Sequence, residues 1–268
     1  MQAATTTPAS QKIEFRGSHG TQLAARVDLP RSDPRAYALF AHCFTCGKDT
    51  VAASRISRSL TRNGIAVLRF DFTGLGQSGG DFGNTDFSSN ITDLVNAADY
   101  LRTTFRAPSI LVGHSLGGAA VLAAAREIPE VRGVATIGAP AAPSHVTHLL
   151  GESASEIERN GEAIVKLAGR PFRIRRQFLD DIAAQPQAQR IATLGVPLLV
   201  MHSPTDDTVG IDNARLIFDT ARHPKTFIAL DGADHLVTHP DDAKYIADVL
   251  AVWAHRHTGP SRRRSRAV

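Results

Sequence analysis

The chain has 268 residues, enough to bury one large core, and we predict a single domain with insertions. Its formal net charge is +4, and four arginines in the last ten residues, GPSRRRSRAV, account for that excess. Without these four, 26 Lys and Arg face 26 Asp and Glu. A nearly neutral body excludes the broad basic surface of a nucleic-acid-binding protein, and we expect residues 258–268 to form a disordered basic tail.

The N-terminal residues 1–10, MQAATTTPAS, have neither the basic region nor the apolar region of a secretory signal. No apolar run approaches the ~18 residues of a membrane span. The two cysteines, Cys43 and Cys46, cannot supply the disulfide framework of a small secreted protein. We therefore predict a cytoplasmic protein without membrane insertion, with residues 1–10 disordered and one domain over residues 11–257.

Short apolar runs rich in β-branched residues alternate with stretches of helical periodicity. The predicted strands, in chain order, are KIEF (12–15), TQLAARVDL (21–29), YALFAH (37–42), IAVLRF (65–70), SILVG (109–113), GVATIG (133–138), VPLLVMH (196–202) and TFIALD (226–231). The later ones are apolar almost throughout, as are strands that a parallel sheet buries on both faces. This alternation predicts an α/β protein whose mostly parallel eight-stranded sheet carries helices on both faces.

Two helices and one insertion complete the predicted architecture. Apolar residues recur at helical spacing over residues 89–106 and again over residues 240–255, where Pro240 lies in the first turn. Residues 145–189 form a long stretch of mixed charge without a clear strand. We interpret residues 145–189 as a helical cap inserted over the functional site, and refer to them as the cap.

The segment SILVGHSLGGAAVLAAA places Gly113-His114-Ser115-Leu116-Gly117 between an apolar strand and an Ala-rich helix. Such a turn presents a serine hydroxyl at a strand end, and glycines two residues before and after it avoid collisions of side chains with the sharply turning backbone. The helix that follows directs backbone N–H groups at charge that develops during acyl transfer. This context predicts the nucleophile elbow of the α/β-hydrolase fold, with Ser115 as nucleophile.

In this fold the acid and the histidine of the catalytic triad follow the serine in the chain, on loops after later strands. The turn after VPLLVMH carries Asp206 and Asp207, and His235 lies in the loop before the last helix. Successive side chains of an extended segment point in opposite directions, so only one aspartate can face the histidine. We predict Asp206 as the triad acid, with Asp207 as a solvated turn residue.

Other histidines compete with His235 for the role of general base. His239 is the nearest rival, but its place before Pro240 favours a role at a helix boundary. His42, His114 and His202 lie in turns or at strand ends around the predicted site. We interpret these three as residues that pack or pin loops, and His235 as the base.

The oxyanion hole requires one N–H from the residue after the nucleophile, which is Leu116. The second N–H comes from the loop after YALFAH, which reads His-Cys-Phe-Thr-Cys-Gly over residues 42–47. We predict Phe44 as this second donor, with Cys43 as the alternative.

Five motifs together resemble a known family: AHCFTCGKD, RFDFTGLGQSGGDF, VGHSLGG, MHSPTDDTVG and GADHL. They are similar to the α/β-hydrolase half of bacterial proteins that fuse a hydrolase to a peroxide-reducing thiol domain of the osmotically inducible (OsmC) type. The resemblance runs from about residue 12 to residue 255, and it implies an esterase-like serine hydrolase with Ser115, Asp206 and His235 as its triad. The first motif also resembles the His-Gly-Phe loop of cinnamoyl and feruloyl esterases, which implies Phe44 as oxyanion donor. Since this chain ends at Val268 in a basic tail, we expect no peroxidase activity.

A rival reading comes from GLGQSG (74–79), which matches the dinucleotide-binding pattern Gly-x-Gly-x-x-Gly and follows the strand IAVLRF. A dinucleotide site needs its third glycine to open a helix that holds the pyrophosphate. Here the loop sequence GDFGNTDFSS follows instead. We therefore predict a strand-to-loop turn and no nicotinamide cofactor.

Cys43-x-x-Cys46 has the spacing of a redox pair or of half a zinc site. No second cysteine pair and no closely spaced histidine pair complete a set of metal ligands. We expect two buried thiols that pack beside the oxyanion loop, and no metal. The alternative is a reversible disulfide that would make activity sensitive to redox conditions.

These features predict a serine hydrolase that needs no cofactor and acts on a small-molecule ester, most simply as a carboxylesterase with an acyl-enzyme intermediate. A thioesterase or a serine aminopeptidase-like hydrolase uses the same residues and stays open. A non-catalytic or redox-regulated binding protein on a hydrolase scaffold is the alternative of another class, disfavoured because the predicted triad and the elbow glycines are all present.

Overall fold

The computed structural model describes residues 9–167 and 169–258 and contains ten strands within them. They are β1 (Ser10–Arg16), β2 (Gln22–Asp28), β3 (Ala36–Ala41), β4 (Ile65–Phe70), β5 (Ile110–His114), β6 (Gly133–Ile137), β7 (Glu162–Leu167), β8 (Arg170–Arg175), β9 (Leu198–His202) and β10 (Lys225–Ala229). Eight of them form one sheet in the order β1-β2-β4-β3-β5-β6-β9-β10. These eight are the predicted strands.

The sheet is antiparallel at one side and parallel elsewhere. β2 pairs antiparallel with both β1 and β4, whereas the pairs from β4 through β3, β5, β6 and β9 to β10 are parallel. The parallel strands therefore all end at one edge of the sheet, the carboxyl edge. Open α/β sheets bind their ligands at this edge.

Helices cover both faces of the sheet, which confirms the predicted fold class. They are α1 (Val51–Arg62), α2 (Phe87–Thr104), α3 (Leu116–Ala124), α4 (Ser153–Asn160), α5 (Arg176–Ala184), α6 (Gln187–Ala192), α7 (Asp212–Thr220) and α8 (Pro240–Thr258). Side chains of β3 alternate between the two faces, so that Tyr37 and Leu39 pack with α2 and α3, whereas Ala38 and Phe40 pack with α1 and α8. Each face thus has its own apolar core.

The cap contains a strand hairpin in addition to the predicted helices. β7 and β8 pair antiparallel over residues 162–175, separately from the main sheet. In β7 the buried Ala163, Val165 and Leu167 alternate with exposed residues, which is a strand pattern. This strand is not apparent in the sequence, because the exposed positions include Ile164 and the segment does not alternate cleanly between apolar and polar residues.

Two side chains dock the cap on the helices beside the site. The Asp181 carboxylate of α5 accepts hydrogen bonds from the backbone N–H of Ser88, at 2.8 Å, and from its hydroxyl, at 2.6 Å. This places a negative charge at the N-terminus of α2, where the helix dipole favours it. The buried Gln187 donates from Nε2 to the carbonyl oxygen of Ala119 in α3, at 2.9 Å.

The ends of the described chain bear on the predicted tails. Ser10 begins β1 and Thr258 ends α8, so regular structure reaches into both predicted tails. The remainder of those tails, residues 1–8 and 259–268, lies outside the described residues. Within residues 9–167 and 169–258, the helices are too short or too polar for any of them to cross a membrane.

Candidate active site

Ser115 occupies a turn of one residue between β5 and α3. β5 ends at His114, α3 begins at Leu116, and Ser115 itself has a positive φ of 54°, a strained conformation for a residue with a side chain. A Cβ at Gly113 would lie 2.3 Å from the carbonyl oxygen of Gly117. A Cβ at Gly117 would lie 2.4 Å from the carbonyl oxygen of His42. Both glycines of the elbow are therefore needed for close packing of backbone on backbone.

The three predicted triad residues form one chain of hydrogen bonds at the carboxyl edge. The Ser115 Oγ lies 3.0 Å from Nε2 of His235, and Nδ1 of His235 lies 2.8 Å from Oδ2 of Asp206. Asp206 follows β9 and His235 follows β10, so neighbouring parallel strands bring them together. With Nδ1–H donated to the carboxylate, Nε2 can accept the serine proton.

The carboxylate in this chain of hydrogen bonds is that of Asp206, and backbone N–H groups bind its second oxygen. Oδ1 accepts hydrogen bonds from the backbone N–H groups of Thr208, at 2.9 Å, and Val209, at 2.8 Å. Burial raises the pKa of this carboxyl, but the hydrogen bonds and the charge of His235 outweigh burial and hold the pKa below its usual value. Asp207 is exposed and accepts from the Thr208 hydroxyl at 3.2 Å. The structure thus places Asp206, and not Asp207, against the imidazole.

Two buried histidines hold the loops that carry the predicted triad residues Asp206 and His235. His114 lies with Nε2 at 2.7 Å from the carbonyl oxygen of His235, so its ring fixes the backbone of that residue. Burial, and then repulsion by His235, lowers the pKa of His114 to about 4. His202 lies with Nε2 at 2.6 Å from the carbonyl oxygen of Val209, and burial lowers its pKa as well. Both rings are therefore neutral at pH 7 and serve as hydrogen-bond donors.

The remaining candidate histidines hydrogen-bond to backbone groups of a loop and of a helix end. His42 is buried, with Nδ1 at 2.8 Å from the carbonyl oxygen of Cys43, as expected of a residue that pins a loop. His239 is exposed, and its Nδ1 accepts from the backbone N–H of Asp241 in the first turn of α8, at 3.3 Å. It lies at a helix boundary, in agreement with the sequence-based interpretation.

A disulfide joins Cys43 and Cys46, so the expectation of two free thiols is wrong. The backbone N–H of Cys46 donates to the carbonyl oxygen of Cys43 at 3.1 Å, which closes a tight turn over residues 43–46. This turn brings the two Cα atoms to 5.3 Å, within the range that a disulfide spans. Sequence spacing alone could not distinguish this arrangement from buried thiols.

The two predicted oxyanion donors are Leu116, at the start of α3, and Phe44, in the turn after β3. Within the described part of the chain, no acceptor pairs with the backbone N–H of either residue. These groups are free to bind a substrate oxygen, and their role in an oxyanion hole stays a prediction.

An ion pair that was not predicted from the sequence anchors residues 42–48, the loop that carries the predicted donor Phe44. Lys48 and Asp71 are both buried, and the Lys48 Nζ lies 2.8 Å from the Asp71 Oδ2. The backbone N–H of Lys48 donates to Oδ1 of Asp71 at 2.6 Å, and that of Gln77 donates to Oδ2 at 2.9 Å. The signal for this pair was a charged residue shortly after each of two adjacent predicted strands. The pair ties residues 42–48 to the turns of the glycine motif.

The glycine motif itself forms turns, as predicted. Residues 74–79 lie between β4 and α2, and α2 begins only at Phe87. The third glycine, Gly79, therefore does not open a helix. This arrangement lacks the helix N-terminus that a dinucleotide pyrophosphate requires.

Aromatic rings of the cap pack on the oxyanion loop. The ring of Phe44 stacks on Phe178 of the cap, with centroids 5.5 Å apart and planes 22° apart. Phe44 also contacts Phe82 at 5.7 Å, and Phe82 contacts Phe172 of the cap at 5.2 Å. Phe172 and Phe178 belong to residues 145–189, the cap predicted to lie over the site, and they pack on the loop that carries the predicted donor, Phe178 directly and Phe172 through Phe82.

Known proteins resemble this chain over most of its length. The profile of the family described as "Serine aminopeptidase, S33" matches residues 32–173. The solved esterase domain of a Rhodothermus marinus protein superposes with a TM-score of 0.77 at 49% sequence identity, covering 94% of this chain and 100% of that chain. Monoacylglycerol lipase of Mycolicibacterium smegmatis is 25% identical over 275 residues, covering 91% of this chain and 96% of the lipase.

A third similar protein carries a thioesterase name. Palmitoyl-protein thioesterase ABHD10, mitochondrial, of Rattus norvegicus is 36% identical over 204 residues, covering 73% of this chain and 66% of the thioesterase. Together these matches support the resemblance to α/β hydrolases, and they give no indication of a fused thiol domain.

Because the two adjacent aspartates have different contacts, the same substitution should lower kcat strongly at Asp206 and only slightly at Asp207. Asp206→Asn should lower kcat for an activated ester such as p-nitrophenyl butyrate by about 10⁴, since an amide holds the wrong imidazole tautomer. Asp207→Asn, the matched control, should change kcat less than about tenfold, because among the described residues its carboxylate hydrogen-bonds to Thr208 alone. Steady-state kinetics of both variants check this, and the reverse ranking would place the acid at Asp207.

The disulfide should help to orient the Phe44 N–H, the predicted oxyanion donor. Cys43→Ala/Cys46→Ala should lower kcat by about 3- to 30-fold, less than the ~10²–10³ lost when an oxyanion donor is removed outright. Dithiothreitol should lower the kcat of the wild type to that of the double variant. It should leave the kcat of the double variant unchanged. Alkylation and mass spectrometry should confirm that dithiothreitol has reduced both cysteines of the wild type. If kcat is unaltered in that reduced protein, the disulfide does not help to orient the Phe44 N–H.

Proposed function

Since the chain belongs to the α/β-hydrolase family described as "Serine aminopeptidase, S33", we propose that it is a carboxylesterase that cleaves small esters through Ser115, His235 and Asp206. Relatives named esterase and lipase make the chain an ester-hydrolysing enzyme. This disfavours the alternative of a non-catalytic binding protein. The ester class and the residue roles are our proposal.

The hydrogen-bond chain from Ser115 to Asp206 is the observation that carries this proposal. A serine hydroxyl at 3.0 Å from an imidazole, itself at 2.8 Å from a carboxylate, is the arrangement that activates serine in acyl transfer. Ser115 also precedes a helix whose N-terminal N–H groups and dipole favour negative charge nearby. A merely structural serine would need none of these features.

In the first half of the proposed reaction, His235 takes the Ser115 proton while the hydroxyl oxygen attacks the ester carbonyl. Asp206 keeps the imidazole in the required tautomer and stabilises the imidazolium. The carbonyl oxygen becomes an oxyanion and accepts hydrogen bonds from the N–H groups of Leu116 and Phe44. When the tetrahedral intermediate collapses, His235 donates its proton to the departing alcohol.

In the second half, water replaces the alcohol beside His235. His235 takes a proton from this water, whose oxygen attacks the acyl-enzyme carbonyl, and the same two N–H groups bind the second oxyanion. Collapse releases the carboxylic acid and returns the proton to Ser115. The steps balance without a metal ion or an organic cofactor.

The rat relative named a thioesterase favours a second candidate, thioester hydrolysis. The same residues can perform it, because the attack of the serine and the acyl-enzyme are the same and only the leaving group differs, a thiol instead of an alcohol. Rates with a matched butyryl ester and butyryl thioester decide between the two classes. Faster hydrolysis of an amino acid anilide than of both butyryl substrates would instead support the aminopeptidase activity in the family description.

The nucleophile and the base should act as one unit. Ser115→Ala and His235→Ala should each lower kcat by about 10⁴ to 10⁶, and the double variant should lose little more than either single one. A fluorophosphonate probe should label the wild type at Ser115 and fail to label Ser115→Ala. Full hydrolysis by Ser115→Ala, or labelling of a different serine, would overturn the assignment.

The cap should influence the choice of acyl chain. Phe172 is half-buried and lies in the aromatic group around Phe44. Phe172→Ala should therefore alter the preference between p-nitrophenyl acetate and octanoate, measured as the ratio of their kcat/KM values. The change in this ratio should correspond to about 1 to 3 kcal/mol of activation free energy. Ile164→Ala is the matched control, since Ile164 lies on the same hairpin but is 61% exposed.

Kinetics with the two esters check this prediction, and circular dichroism confirms folding. An unchanged ratio in folded Phe172→Ala would mean that this part of the cap does not contact the acyl chain.

A further inference from the structure

The turn that carries the predicted oxyanion donor needs support from outside itself. Thr45 has a positive φ of 59°, although it is not glycine, and it lies between the two disulfide-bonded cysteines. Such a conformation persists only where the surroundings hold it. Only the torsions of Phe44 and Thr45 separate the N–H of Phe44 from the carbonyl oxygen of Thr45, so fixing that oxygen restrains the N–H.

The outside support comes from the cap. The guanidinium of Arg170, the first residue of β8, donates a hydrogen bond to the carbonyl oxygen of Thr45. Within the described residues this is the one hydrogen bond that the Thr45 oxygen accepts. The contact joins residues 125 positions apart in the chain, so it depends on the docked cap.

The same hairpin also holds the ring of the donor residue. The Arg170 guanidinium lies over the Phe172 ring, 5.3 Å from its centroid, and this stacking orients the guanidinium. Phe172 contacts Phe82, which in turn contacts Phe44. One hairpin therefore restrains the donor residue at its ring and, through Thr45, at its backbone.

We propose that Arg170 is a positioning residue of the oxyanion hole, which holds the Thr45 carbonyl oxygen so that the Phe44 N–H points at the developing oxyanion. This inference rests on the proposed function. Arg170 acts through the backbone of the loop and does not itself contact the substrate. The cap thereby takes part in turnover as well as in substrate selection.

The test compares three variants with the wild type. Arg170→Met keeps an apolar stem and removes the donors, and Arg170→Lys keeps the charge and one donor group. Arg176→Met is the matched control, because Arg176 also lies in the cap but pairs with Asp180 on its own helix.

Arg170→Met should lower kcat for p-nitrophenyl butyrate by about 5- to 30-fold, with KM within about twofold, because loosening a donor costs less than the ~10²–10³ of removing it. The inhibition constant of a trifluoromethyl ketone, which forms a tetrahedral adduct with serine, should rise by the same factor. The matching secondary alcohol, which forms no adduct, should bind unchanged. Arg170→Lys should recover part of the loss, and Arg176→Met should resemble the wild type.

A second measurement is independent of turnover. In protein labelled with ¹⁵N-phenylalanine, the amide resonance lost in Phe44→Leu belongs to Phe44. It should shift in Arg170→Met and stay in place in Arg176→Met.

The results separate this inference from the proposed function. Wild-type kcat and an unmoved Phe44 resonance in Arg170→Met would overturn the role of Arg170 while Ser115-dependent hydrolysis stands. A rise in KM alone would mean that Arg170 binds substrate, and an equal loss in Arg176→Met would mean a general effect of the cap. Absence of Ser115-dependent hydrolysis in the wild type would overturn the proposed function itself, whatever the resonance does.

Discussion

A strand and a helix meet at Ser115 without a connecting loop, and the rest of the site is arranged around that junction. The turn requires a positive φ at Ser115 and two neighbouring backbones without side chains, at Gly113 and Gly117. The absence of a Cβ at Gly117 also lets the backbone of His42 approach, which brings the end of β3 beside the start of α3. Because parallel strands end at one edge, the loops that carry Asp206 and His235 reach the same place.

The loop after β3 has no regular secondary structure around the predicted donor, so a disulfide within the loop and side chains from distant segments define its shape. The disulfide closes the turn, the buried pair of Lys48 and Asp71 anchors its far end, and Arg170 holds the carbonyl oxygen of Thr45. An ion pair this deeply buried stabilises only when further hydrogen bonds satisfy it, and backbone N–H groups supply them. Positional accuracy here thus comes from tertiary contacts instead of local propensity.

Sequence alone predicted the features that a repeating pattern or a local motif encodes. Buried strands show as apolar runs, and the elbow shows as a serine between glycines at a strand end, so the eight main strands and the position of Ser115 were accessible. The β7–β8 hairpin was missed because exposed Ile164 interrupts its alternation. The contact of Arg170 with Thr45 joins residues 125 positions apart, and the geometry of the docked cap determines it.

Burial also determines which histidine can respond to the charge of Asp206. The Nε2 of His202 lies only 3.7 Å from the Asp206 Oδ2, and a protonated His202 would compete with His235 for that carboxylate. Burial lowers the pKa of His202, and its ring N–H is directed to the carbonyl oxygen of Val209 instead. His114 is kept neutral in the same way beside the His235 backbone. The negative charge of Asp206 therefore stays available to His235, the one imidazole that the proposed reaction protonates.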